Sequence, residues 1–197
     1  MNSIKFSLLL AVISIQSQAF EINEYFAEFR LGTQDQYEKK VERRSASDLS
    51  GDFKGTNYGL RFGAKFMGMH EVYLEHNPQQ DVEIKSANEL AHVSSTFLGY
   101  RYLLPKNFYV GASLGYSSFE LVKGPNGIRF DENPETSGLT YGGSAGYRHN
   151  FLNSYYLGIE YAHYIGSYKE DGPTTTPVKT IEIEGQQQLN LTVGYKF

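Results

Sequence analysis

Cysteine is missing from all 197 residues. Disulfides, thiolate metal sites and a cysteine nucleophile are therefore excluded. Long apolar runs are missing too. The best, Phe6–Ile15 (FSLLLAVISI), has ten residues, against the roughly 20 that a membrane-spanning helix needs. There is no basic surplus: 18 Lys and Arg against 22 Asp and Glu give a net charge of −4, which argues against nucleic acid as a partner. The five histidines, at positions 70, 76, 92, 149 and 163, show no metal-ligand spacing. Neither a metal nor any other cofactor is expected.

The short apolar run has a use as an address. Lys5 precedes it, and Ser17 and Ala19 follow it at the positions a signal peptidase favours. The expected organisation is a signal peptide over residues 1–19, cut between Ala19 and Phe20, and one domain over 20–197. Cleavage removes Lys5 and no acid, leaving 17 bases against 22 acids, a charge of −5.

What the chain does have is 16 Tyr, 13 Phe and 20 Gly. Aromatics favour strands and membrane interfaces, and strand glycines mark crowding. The period is two. Leu189, Leu191, Val193, Tyr195 and Phe197 alternate with Asn190, Thr192, Gly194 and Lys196, which separates an apolar face from a polar one. The same alternation recurs around Tyr25–Leu31, Tyr58–Phe66, Val72–Leu74, Leu98–Leu104, Phe108–Tyr116, Leu139–Tyr147 and Tyr155–Tyr161, making eight strands. Pro78 is expected to end the third strand early. Phe97, Leu103, Tyr109, Tyr156 and Tyr164 fall on the polar parity, as a bulge or as interior aromatics. The mean hydropathy of −0.43 is that of a soluble chain, but alternation gives a membrane barrel a polar average as well.

Connections alternate between long and short. Residues 35–54, 78–88, 122–136 and 168–178 read as long polar loops; Met67–His70, Pro105–Asn107 and Asn150–Ser154 read as short turns. Bacterial outer-membrane barrels have short periplasmic turns, long outside loops and an even strand count. The expected fold is thus all-β: an eight-stranded antiparallel up-and-down transmembrane β-barrel in the cell outer membrane. A soluble barrel of lipocalin type would also alternate, with its apolar face inside. Here the minor face carries Arg30, Arg61, Lys65, Glu75, Arg101, Arg148 and Glu160 among glycines, which suits a narrow polar lumen. Tyr25, Phe66, Tyr102, Phe108, Tyr147 and Tyr155 gather near the short turns, as an aromatic girdle does.

Buried charges require partners. Glu75 is expected between Arg61 and Arg101, with Glu28 near Arg61, as a structural ion cluster that fills the lumen. The acids Asp35, Glu38, Glu42, Asp48 and Asp52 are interleaved with Lys39, Lys40, Arg43, Arg44 and Lys54, a solvated loop and not a calcium or receptor site.

The stretches FYVGASLGYSSFEL (108–121), YGGSAGYRHNFLNSYYLGIEYAHY (141–164) and QLNLTVGYKF (188–197) resemble the small outer-membrane barrels of OmpA and OmpX type. The resemblance implies that the strand ending at Phe197 is read by the outer-membrane assembly machinery. The chain is expected to end with its eighth strand, without the periplasmic peptidoglycan-binding domain that longer relatives carry. Some barrels of this kind modify lipid A through a His–x–Ser pair and an acid, and His92-Val93-Ser94 has that spacing, but the family context around the pair is absent and the expected reading is a polar strand end just above the membrane. The expected function is non-enzymatic, with no catalytic residue. The protein is expected to act as a monomer among lipids and lipopolysaccharide, presenting loops for envelope integrity, adhesion or contact with a host or cell-surface ligand. The alternatives are a lipid A-modifying enzyme and a narrow, porin-like channel.

Overall fold

The computed structural model describes residues 22–43, 49–84, 89–123, 135–171 and 178–197. The proposed signal peptide lies outside them. Eight antiparallel strands close into one barrel, each paired with its sequence neighbours and β1 with β8. They are β1 (Ile22–Arg43), β2 (Leu49–Phe66), β3 (His70–Ile84), β4 (Glu89–Leu103), β5 (Phe108–Lys123), β6 (Glu135–Asn150), β7 (Tyr155–Asp171) and β8 (Val178–Lys196). The seam is held to its last residue: Tyr25 and Phe197 exchange both backbone hydrogen bonds, each at 3.0 Å.

Period two sorts the side chains as it must in a closed sheet. Phe29, Leu60, Leu74, Leu98, Leu114, Tyr141, Ile159 and Leu191 all face outward. Arg30, Arg61, Glu75, Arg101, Arg148 and Glu160 face inward and are buried. This is the reverse of a lipocalin. Aromatic rings collect at the short-turn end. Tyr25, Phe197, Tyr195 and Tyr155 form a run with centroids 6.1, 6.0 and 4.9 Å apart, and Phe108 meets Tyr147 at 5.2 Å.

Two expectations require correction. The long polar segments are in large part strand: β1 continues to Arg43, β2 starts at Leu49, and β3 reaches Ile84. Beyond the bilayer both faces of a strand are wet, so the pairing persists while the apolar alternation disappears. What remains of each connection, residues 44–48, 85–88, 124–134 and 172–177, lies outside the described residues. Pro78 does not end β3. The strand runs through it by a bulge, with Pro78 and Gln79 together facing Ser94, between the Asn77–Ser95 and Gln80–Val93 pairs. A bulge is where a strand accommodates proline, which has no N–H to donate. The extra residue also inverts the parity: Asn77 points inward, and above it Gln80 and Val82 do.

The off-parity aromatics lie inside. Tyr109, Tyr156, Tyr164 and Phe97 are buried, joined by Phe26 and Tyr73. Each of the six lies directly across from a glycine on the next strand: Phe26 and Gly63, Tyr73 and Gly99, Phe97 and Gly115, Tyr109 and Gly146, Tyr156 and Gly194, Tyr164 and Gly142. A Cβ on any of these glycines would run into the facing ring. The missing side chain is what admits an aromatic to so narrow a lumen.

Candidate functional site

The lumen holds a network of four arginines and four glutamates. Arg30, Arg61, Arg101, Arg148, Glu28, Glu71, Glu75 and Glu160 are all buried, so their formal charges cancel. Neutrality matters because a buried charge without a partner costs several kcal/mol.

Glu160 on β7 is the hub. It accepts hydrogen bonds from Arg61 at 2.7 and 2.8 Å, Arg30 at 2.9 Å, Arg101 at 3.4 Å and the Tyr109 hydroxyl at 3.0 Å. Arg61 also donates to Glu28 at 2.8 Å and through Nε to Glu75 at 2.6 Å. Glu28 takes two bonds from Arg101, at 2.7 and 3.1 Å, and one from the Tyr156 hydroxyl at 3.1 Å. Toward the short turns, Arg148 grips Glu71 with two bonds of 2.8 Å, the planar fork-to-carboxylate geometry that favours arginine. Interior tyrosines complete the packing. Arg61 lies 4.6 Å from the Tyr73 ring, Arg101 lies 4.7 Å from Tyr109, and Arg148 lies 4.4 Å from Tyr156, within cation–π range. Above the charges comes an amide layer, in which Asn57 donates to Gln188 at 3.0 Å and to Asn190 at 2.7 Å.

The four residues singled out from sequence, Glu28, Arg61, Glu75 and Arg101, share one interior network, in which Arg61 meets both Glu75 and Glu28 as expected and only the Glu75–Arg101 contact is missing. Glu75 lies between Arg61 and Arg30, to which it is also hydrogen-bonded, and not between Arg61 and Arg101. The register explains this. Glu75 is paired with Arg61 on β2, while Arg101 on β4 is opposite Glu71, four residues nearer the short turns. Sequence reasoning missed the roles of Glu160, Glu71, Arg30 and Arg148, although their inward parity was visible.

His92 faces outward in the upper part of β4. Its Nε2 lies 3.1 Å from Asp81, and its Nδ1 meets Gln79 and lies 3.6 Å from Glu120. Ser94 is bonded instead to Ser118 at 2.8 Å. Both ring nitrogens point to the neighbouring strands, so the histidine is not set to take a proton from Ser94.

The outward apolar belt, the charged lumen and the girdle at the short turns together describe a barrel immersed in lipid. The chain matches the outer membrane protein beta-barrel domain family over residues 6–197. It belongs to that family, and its place is the cell outer membrane. Solved barrels share the fold at low identity. The outer membrane protein AlkL, studied in lipid bilayers, is 14% identical with a TM-score of 0.62, over 90% of this chain and 92% of that one. Neisserial surface protein A is 13% identical with a TM-score of 0.53, over 88% and 97%. OprG from Pseudomonas aeruginosa is 17% identical with a TM-score of 0.50, over 90% and 97%. No curated protein matches the sequence.

Proposed function

We propose that this family member is a non-enzymatic surface protein: a plugged barrel that anchors a polar, strand-built platform above the outer membrane. The observation that carries this reading is the lumen, where four arginines and four glutamates are buried against one another, a filling and not a path. The strands support it from outside. Spanning the bilayer takes about 9–11 tilted residues, and β1 has 22. The surplus lifts the connections away from the membrane, where lipopolysaccharide and the ligands of host or neighbouring cells are met. Phe197, whose backbone is bonded to Tyr25 at the seam, suits the expected docking of the last strand on the assembly machinery. Residues 1–19 are proposed to be removed on export, so N-terminal sequencing of outer-membrane material should begin at Phe20; finding residues 1–19 intact there would refute it.

The function is tested by shortening the long connections. Deleting 44–48 or 124–134 should reduce adhesion or serum resistance while the barrel still folds. Lipid A from cells with and without the gene should have the same mass spectrum, and the protein should give no steady conductance in planar bilayers. A lipid A difference that disappears with His92→Ala would establish an enzyme in place of this reading. An ion-selective current altered by Glu160→Gln would establish a channel.

A further inference from the structure

Two concavities meet at the short-turn end. One, of about 310 Å3, opens at the mouth of the lumen, with Lys65, Arg148 and Lys196 in its lining. The other, of about 470 Å3, is an apolar trough on the outer wall that includes Val110, Ala145, Ile159 and Tyr161. Leu104 and Phe108 line both, so the trough runs into the mouth. Its depth has a simple cause. Ala145 is the outward residue between Val110 and Tyr161 in one cross-strand row, and Tyr147 stands between Phe108 and Ile159 in the row below. A methyl group flanked by large side chains leaves a channel wide enough for a hydrocarbon chain.

The mouth has the complementary charge. Arg148 is already paired with Glu71. Lys196 reaches Glu24 at 3.8 Å, near the limit of an ion pair. The charged residues that line the mouth are Lys65, Arg148 and Lys196, all cationic, the sign that complements a phosphodiester. The order from wall to mouth, apolar and then cationic, is the order of tail and headgroup in a lipid of the leaflet at the short-turn end.

We propose that mouth and trough together bind one anionic phospholipid of the periplasmic leaflet. Its phosphodiester lies against Lys65 and Lys196, and an acyl chain lies along Ala145. The inference rests on the orientation used above, short turns inward, and is independent of what the connections bind. Lipopolysaccharide belongs to the opposite leaflet and is not the lipid meant.

The test is native mass spectrometry of the mature barrel released from vesicles of equal phosphatidylglycerol and phosphatidylcholine. One phosphatidylglycerol should be retained in preference. Lys65→Gln with Lys196→Gln should weaken retention roughly thirtyfold, from the attraction of about two lysines to an anionic lipid. Lys65→Arg with Lys196→Arg should preserve it, which separates charge from folding. Ala145→Leu, which fills the trough without altering charge, should also release the lipid. Added inorganic phosphate should not displace it, because phosphate has no chain to place in the trough. The proposal is overturned by undiminished retention in the glutamine pair, by an Ala145→Leu barrel that retains the lipid as before, or by displacement with inorganic phosphate, which would make the mouth a plain anion site. Each of these results leaves adhesion by the connections unaffected.

Discussion

At the scale of the residue, the decisive group is Glu160. Three arginines and a tyrosine hydroxyl converge on one carboxylate, so neutralising it deprives more donors of a charged acceptor than neutralising Glu75, which serves Arg61 and Arg30. Glu160→Gln should destabilise the folded barrel by about 3–5 kcal/mol, the range for breaking a buried ion pair from one side, and Glu75→Gln by less. Adding Arg61→Gln to Glu160→Gln restores neutrality, so the double change should cost less than the sum of the two single ones. Urea titration in vesicles, followed by the gel mobility of unheated samples, measures all four proteins; additive costs would mean that the two residues are not coupled. The inward position of these charges was legible from parity alone. Their partners were legible only between neighbouring strands: Arg61 meets Glu75 and Glu28 as expected, but the contacts across the lumen to Glu160 were not legible. A guanidinium on β1 or β4 reaches across the lumen to β7, and heights counted from the turns say nothing of which side chains cross.

At the scale of the element, glycines on neighbouring strands make room for six of the interior rings. Gly194 lies opposite Tyr156, and a Cβ there would penetrate the ring. Gly194→Ala should therefore cost about 1–3 kcal/mol, as overpacking does. Tyr156→Leu in the same protein should recover part of the loss; no recovery would place the strain in the backbone of β8. These pairs were half visible in the sequence. Tyr109, Tyr156 and Tyr164 stood out as aromatics on the polar parity, but a ring beside lipid and a ring over a glycine are the same letter. The glycine that distinguishes them is on another strand, found only when the register is known. Strand ends were hidden for a different reason. The segment Lys39–Arg43 carries charged residues at both odd and even positions of the sequence, and the Pro78 bulge shifts β3 by one residue, so period two fails there although the hydrogen-bonded ladder continues.

At the scale of the whole molecule, the barrel is a short lipid-embedded cylinder continued upward by a wet one, and β5 passes through both. Its outward residues begin with Phe108, Val110, Ala112, Leu114 and Tyr116 and continue with Ser118 and Glu120. Leu114 is 52% exposed on the apolar belt, whereas Glu120 lies beside His92, where the outward residues have turned polar. Arginine substitution should read this boundary directly. Leu114→Arg should destabilise the inserted barrel by about 2–4 kcal/mol, the cost of a cation at the bilayer midplane. Glu120→Arg should remain within about 0.5 kcal/mol, as ordinary surface changes do. Ser113→Arg, one residue from Leu114 but facing the lumen, should fail in another way, through overpacking and an uncompensated charge that thinner bilayers do not relieve. Measuring the three variants in vesicles of two thicknesses separates the causes. The Leu114→Arg penalty should shrink in the thinner bilayer, where the midplane lies closer to water, and the Ser113→Arg penalty should not. Equal penalties at Leu114 and Glu120 would mean that β5 never leaves the membrane, and the platform above it would have to be abandoned.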